Sequence, residues 1–241
     1  MAPTLGAVSA TDWQVHPHGE LQPLSDNLWR VQGSVPGMPL ERVMIVARMR
    51  DGRLVVHGAM ALDEATMKRL EALGEPAVML VPSGYHRMDA PRYAQRYPGM
   101  KIYCPKGSLE RVHAVVRVDG TFDDFEGDAT VRTTHLDGVA DIEGVVHVTS
   151  GDGSTLVFND ALFNMPHAPG LGGLFTRLIG SSGGLRVSNT GRFFLVKDAR
   201  MLGARLVALA GTPGLVRIAV AHHETLTDRP AEALRAVAGT L

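Results

Sequence analysis

Several features that assign a function quickly are missing from this chain. It has one cysteine, Cys104, which excludes an internal disulfide and fits a reducing compartment. Any metal site must therefore draw on histidines and carboxylates. Charge of one sign is also missing. The 24 basic and 25 acidic residues leave a formal net charge of -1, so no global field gathers nucleic acid or an acidic membrane surface. No apolar run is long enough to span a bilayer. Residues 1–10 lack the basic region and long apolar core of a signal peptide, and a cytoplasmic location is the expectation. The glycine-rich stretch Gly180-Ser181-Ser182-Gly183-Gly184 lacks the preceding strand and following Lys-Ser/Thr of a phosphate loop.

What is present describes an ordinary globular chain. Hydrophobic residues make up 45% of the 241 residues and charged residues 20%, enough for one large domain with a substantial core. Residues 1–25, rich in Pro, Gly and polar residues, are expected to form a loosely ordered arm pinned by Trp13; 26–241 form a single domain. His16 and His18 on this arm are read as solvated.

Asn27–Gly33, Glu41–Arg50 and Arg53–His57 read as antiparallel strands, with Asp51-Gly52 as a hairpin turn and Pro36-Gly37-Met38-Pro39 as a turn lining a cleft. Asp63 is placed to cap a helix over 64–73 that Gly74 ends. Ala77–Val81 has the short apolar signature of a strand buried on both faces. Ala90–Tyr97 and Ser108–Val115 read as helices around the strand Lys101–Cys104, and Arg117–Phe125 as a loop. A second β block follows in Val131–Leu136, Gly144–Thr149 and Thr155–Asn159. The last elements are mainly helical residues 192–210, a buried strand Leu215–Ala221 and a closing helix Pro230–Ala238. Two such β blocks with helices between and after them suggest two sheets packed face to face with helices outside.

Three strand-like runs end in the same chemistry. Thr155–Asn159 runs into Asp160, Ala77–Val81 leads through a short loop to His86 and Asp89, and Leu215–Ala221 runs into His222-His223. A buried carboxylate at a strand end needs a cation, a hydrogen-bond network or water, because an unpaired buried charge is very costly. The pattern suggests one site assembled from distant parts of the sequence. His222 and His223 point apart in any regular geometry, so one of them at most serves it. For Asp89, a helix-capping role competes with a ligand role, since Ala90-Pro91 reads as a helix start.

These motifs resemble those of the metallo-β-lactamase-like hydrolases, from about Asn27 to the end of the chain. That resemblance implies an α/β (α+β) fold, a four-layer αββα sandwich with metal ligands on loops along one edge. Thr155-Leu156-Val157-Phe158-Asn159-Asp160-Ala161-Leu162-Phe163 follows the family strand whose Asp bridges two metals, and His222 stands where the family has its final ligand. The family's HxHxDH motif falls on Gly84-Tyr85-His86-Arg87-Met88-Asp89, where His86 alone keeps the family residue and Asp89 replaces the last His. The Gly-His pair before the middle strands is Gly138-Val139 here.

The resemblance therefore implies a reduced ligand set of His86, Asp89, Asp160 and His222, suited to one divalent metal, Zn²⁺ ahead of Fe or Mn. The expected activity is hydrolysis of an ester, lactone or thioester in a small-molecule substrate by one metal-activated water, with Asp160 as the catalytic carboxylate. Tyr85, Arg87 and His167 are the expected substrate-binding residues. The competing reading is a protein that keeps the fold, has lost the metal and binds a ligand or regulates. Residues 165–191 are expected to form a glycine-hinged lid in which Leu171, Leu174, Phe175, Leu178 and Ile179 cover a pocket, with a homodimer contact as the alternative. His113, His135 and His147 are expected on surfaces or in packing, and Cys104 as a buried thiol.

Overall fold

A computed structural model describes residues 12–38, 40–167, 170–178 and 182–241. The first eleven residues of the expected arm, Pro39, and Ala168, Pro169, Ile179, Gly180 and Ser181 of the expected lid lie outside the described residues.

The first sheet opens with an antiparallel run: β1 (Gln22–Ser25), β2 (Leu28–Ser34), β3 (Glu41–Arg48) and β4 (Arg53–His57). Helix α1 (Glu64–Glu71) then crosses over, and β5 (Glu75–Leu80) joins β4 in parallel. Asp63 caps α1 by accepting from the Thr66 N–H at 2.8 Å, which satisfies one of the amides that a helix start leaves open. After α2 (Ala90–Arg96), β6 (Lys101–Cys104) extends the parallel part. A 3₁₀ turn at Lys106–Ser108 and α3 (Leu109–His113) lead to β7 (Gly120–Thr121) at the sheet's edge. The expected Arg117–Phe125 loop thus contributes a short edge strand. The expected arm is also more ordered than its composition suggested. Gln22–Ser25 pairs with β2, and the Trp13 indole N–H donates to the Leu62 carbonyl at 2.8 Å.

The second sheet has the order β13-β10-β9-β8. Its members β8 (Val131–His135), β9 (Gly144–Ser150) and β10 (Gly153–Val157) form an antiparallel meander. A two-stranded ribbon of β11 (Phe163–Met165) and β12 (Gly184–Arg186) brackets helix α4 (Gly170–Leu178). Helices α5 (Asn189–Phe194) and α6 (Ala199–Leu209) lead to β13 (Leu215–Ala219), which pairs in parallel with β10. Helix α7 (Pro230–Ala238) closes the chain.

Alternation along the strands builds the layers. In β3, Val43, Ile45 and Ala47 face the second sheet, while Met44 and Val46 face α1 and α2. In β10, Val157 faces the first sheet, and Leu156 packs beneath α6 and α7. Each sheet is thus apolar on both faces. One core lies between the sheets and one under each helical layer, which gives the four-layer αββα sandwich. The Val43 N–H donates to the Ala221 carbonyl at 2.7 Å and ties the two sheets together at one edge. The functional candidates collect along that edge.

Candidate metal centre

Asp160 sits three residues beyond β10, in a turn held from below by a residue that sequence motifs did not indicate. Glu143, wholly buried, accepts from the Asp160 N–H at 3.0 Å and from the Ala161 N–H at 2.9 Å, one bond to each carboxylate oxygen. The Asn159 side-chain amide adds a longer bond at 3.4 Å. Burial and the charge of Asp160 push the Glu143 carboxyl up from its usual range, and the amide bonds pull against them. The turn therefore has a fixed backbone and presents the Asp160 side chain to the edge of the sandwich.

His86 arrives from the loop after β5. That loop is clamped by Ser108, whose hydroxyl accepts from the Gly84 N–H and donates to the Ile142 carbonyl, both at 3.0 Å. His222 arrives three residues beyond β13. Its Nδ1 lies 2.7 Å from the Glu41 carbonyl, which fixes the ring with Nε2 pointing inward. Phe163 stacks on the His222 ring at 5.1 Å between centroids.

The two inward nitrogens meet one oxygen. His86 Nε2 is 2.9 Å and His222 Nε2 3.0 Å from Asp160 Oδ1, and the ligand atoms of all three residues lie within 4.8 Å of one another. Burial by itself raises the Asp160 carboxyl pKa. The charge of His86 and the hydrogen bonds from both rings override it and hold the group well below the usual carboxylate range. The arrangement calls for positive charge at its centre, supplied either by protons on the imidazoles or by a cation. The set of two imidazoles and one carboxylate, with Nδ1 of His222 already anchored, fits a divalent transition metal with a remaining open position.

Other expected site residues lie elsewhere. Asp89 is buried, but its oxygens receive Arg42 at 2.6 Å and Arg92 at 2.7 Å, and it stands outside the cluster. Two guanidiniums already meet its need for positive charge, so it leaves the ligand set. It also makes no side-chain bond to cap α2. The Arg87 guanidinium donates to the Arg111 carbonyl, and exposed His167 pairs its Nδ1 with the Ser182 hydroxyl at 3.0 Å. Neither lines the cavity at the cluster, whereas Tyr85 does, with Arg111 stacked over its ring at 4.7 Å.

Two positions where the family has histidines, Gly84 and Val139, are closed to ligands. A Cβ at Gly84 would come within 2.9 Å of Arg111 Cβ, so α3 occupies the space of a first histidine. Val139 is wholly buried in the core under α6 and α7. His223 turns away at a left-handed φ of 70° and approaches Glu41 at 3.6 Å. His18 accepts from the Asp63 N–H, His147 contacts Thr134, and His135 pairs with Asp123. Cys104 is buried, and burial pushes its thiol up to about 11.

A cavity of about 430 Å³ opens over the cluster. Val35, Pro36, Met38 and Leu40 of the β2–β3 turn form one wall, in line with the cleft expected there. Phe163 and Met88 contribute further apolar surface. Among the described residues of the expected lid, 165–191, none lines this cavity; Leu174 and Leu178 are exposed to solvent. Among the described residues, no helix is long and apolar enough to cross a membrane.

No protein-family model matches the sequence, and no curated protein matches it. Solved structures do match. The DIM-1 metallo-β-lactamase exposed to ceftazidime superposes with a TM-score of 0.60 at 10% identity, over 94% of this chain and 99% of that one. A metallo-β-lactamase from Erythrobacter litoralis, with β-mercaptoethanol in its active site, gives 0.61 at 13% identity, over 92% and 96%. The superpositions cover more than nine-tenths of this chain. The chain has the metallo-β-lactamase fold.

Proposed function

We propose that this protein is a metal-dependent hydrolase of ester, lactone or thioester bonds in small molecules, holding one divalent metal on His86 Nε2, Asp160 Oδ1 and His222 Nε2. Zn²⁺ suits these ligands best, ahead of Fe or Mn. The observation that carries the reading is the convergence of both Nε2 atoms on one carboxylate oxygen, at 2.9 and 3.0 Å, at the base of an open cavity. A metal bound there would lower the pKa of its water and supply hydroxide at neutral pH. The chain's own residues do the rest. The Glu41 carbonyl orients His222, Glu143 holds the Asp160 turn, and Phe163, Val35 and Leu40 shield an acyl group from water.

A second reading draws on Gly84 and Val139. Both positions are filled by packing, so the second metal of the family has no place, and the protein would serve as a metal-free ligand-binding descendant. Elemental mass spectrometry of protein purified without chelator or affinity tag separates the two. Near-stoichiometric metal in wild type that disappears in Asp160→Ala, together with esterase or lactonase activity, is the expected result. A wild type that stays metal-free after incubation with Zn²⁺, Fe²⁺ and Mn²⁺ would overturn the hydrolase reading.

A further inference from the structure

Arg42 is the second residue of β3, on the segment that ties the sheets together. Its neighbour Glu41 supplies the carbonyl that holds His222, and its other neighbour Val43 donates to Ala221. Arg42 lines the same cavity as His86, Asp160 and His222. Its Nη1 donates to Asp89 at 2.6 Å. Its Nε and Nη2 are closed to solvent and have no hydrogen-bond partner among the described residues.

Nε and Nη2 form one straight edge of the planar guanidinium. That is the edge that donates two parallel hydrogen bonds to a carboxylate. Asp89 does not neutralise it alone, because the same carboxylate also serves Arg92. Arg92 is otherwise satisfied, by the Asp12 carbonyl at 2.6 Å and the Met88 carbonyl at 3.0 Å. Two guanidiniums share this one carboxylate, and Nε and Nη2 of Arg42 are left as buried donors without a partner among the described residues. Buried donors without partners cost free energy that a bound anion would recover.

We infer that this cavity takes a small carboxylate-bearing molecule with an apolar body, whose carboxylate is held by the Nε–Nη2 edge of Arg42. The apolar part lies against Val35, Pro36 and Leu40, which leaves the rest of the molecule over His86, Asp160 and His222. Both donor atoms are closed to solvent, so binding requires the lining around Arg42 to open; Met38 and Met88 in that lining are exposed, unbranched and flexible. The inference rests on the hydrolase reading only in calling the bound molecule a substrate.

The test uses 4-phenylbutyrate and its uncharged amide, 4-phenylbutyramide, as probes. Both are titrated by calorimetry into full-length protein freed of metal by chelator, so that a metal cannot hold the carboxylate. The acid is expected to bind roughly tenfold more tightly than the amide or better, and to shift the Arg42 Nε–H resonance. Arg42→Lys keeps a cation for Asp89 but lacks the two-donor edge, and should bring the acid-to-amide ratio close to one. If Arg42→Lys does not fold, the saturable Nε–H shift with the acid and not with the amide decides in its place. Equal affinities in wild type, binding of neither probe, or a preference that survives Arg42→Lys would overturn the inference. Failure of the hydrolase reading appears separately, in metal content.

Discussion

Two carboxylates, one buried and one half-buried, stand at the same edge of this fold, and their partners set them apart. Asp89 lies between Arg42 and Arg92; Asp160 lies between His86 and His222. Each carboxylate has two cationic or protonatable groups within 3.0 Å. A guanidinium cannot give up its proton in a protein, so the Asp89 cluster is locked as an ion network. An imidazole can exchange its proton for a metal, so the Asp160 cluster can change occupant. On the proposed reading, the residue beside the carboxylate, more than the carboxylate itself, divides scaffold from chemistry.

Breaking each cluster in turn should give opposite phenotypes. Asp89→Asn leaves two buried guanidiniums without a counter-charge. Removing one partner of a buried pair typically costs about 3–5 kcal/mol, which for a chain of this size lowers Tm by on the order of 10 °C. Asp160→Asn in the metal-free protein should cost less, about 1–2 kcal/mol for the hydrogen bonds it alters, because an imidazole that loses its counter-charge can release its proton. Thermal unfolding of the two variants in chelator checks this. Equal losses, or a larger loss for Asp160→Asn, would show that both clusters are structural.

Glu143 sharpens the comparison without touching either cluster's cations. It grips the amides of Asp160 and Ala161, so Glu143→Gln should loosen the turn by placing an NH₂ group against an N–H donor. Loss of such a supporting partner commonly weakens metal affinity about 10–100-fold. A zinc competition titration with a chelating dye reads this directly, alongside Tm. Unchanged zinc affinity with a lowered Tm would assign Glu143 to packing alone.

Much of the fold was legible because it is written in alternation and turn chemistry. Val43–Val46 alternates between two cores, Asp63 caps its helix, and the three chemistry-bearing strands lie where their apolar runs predict. The meeting of His86, Asp160 and His222 was legible because each comes shortly after the end of such a run. Asp89 misled for the same reason: it follows a strand too, and its arginines come from β3 and from its own helix. Arg42 is the second residue of an apolar strand, and nothing local marks the free edge of its guanidinium. Glu143 precedes the buried strand β9, and its role exists only through amides 17 and 18 residues away. Gln22–Ser25 is polar enough to pass for an arm, because as an edge strand it needs only its backbone to pair with β2.

His57, at the end of β4, supplies the smallest and most selective contrast, a buried imidazole with no carboxylate beside it. It is 3% exposed, and its Nε2 has no partner among the described residues. Burial first, and the charge of His86 second, push its pKa down to about 3. In the unfolded chain a histidine titrates near 6.5, as roughly expected of a free imidazole. Between those values the unfolded chain takes up a proton that the folded protein refuses, so stability must fall as pH falls through that window. His147, pushed down to about 4 by burial and then by Arg132 and Arg205, adds to the same slope. The depressed carboxyl of Asp160 acts elsewhere: its stabilisation is present above the unfolded value and is lost only at more acid pH. Urea unfolding of metal-free protein at pH 7, 6 and 5 should therefore show declining stability, and His57→Gln should remove about one proton from that dependence. If His57→Gln leaves the slope unchanged, His57 takes up its proton in the folded state as well, and the edge beside His86 is wetter than its burial implies.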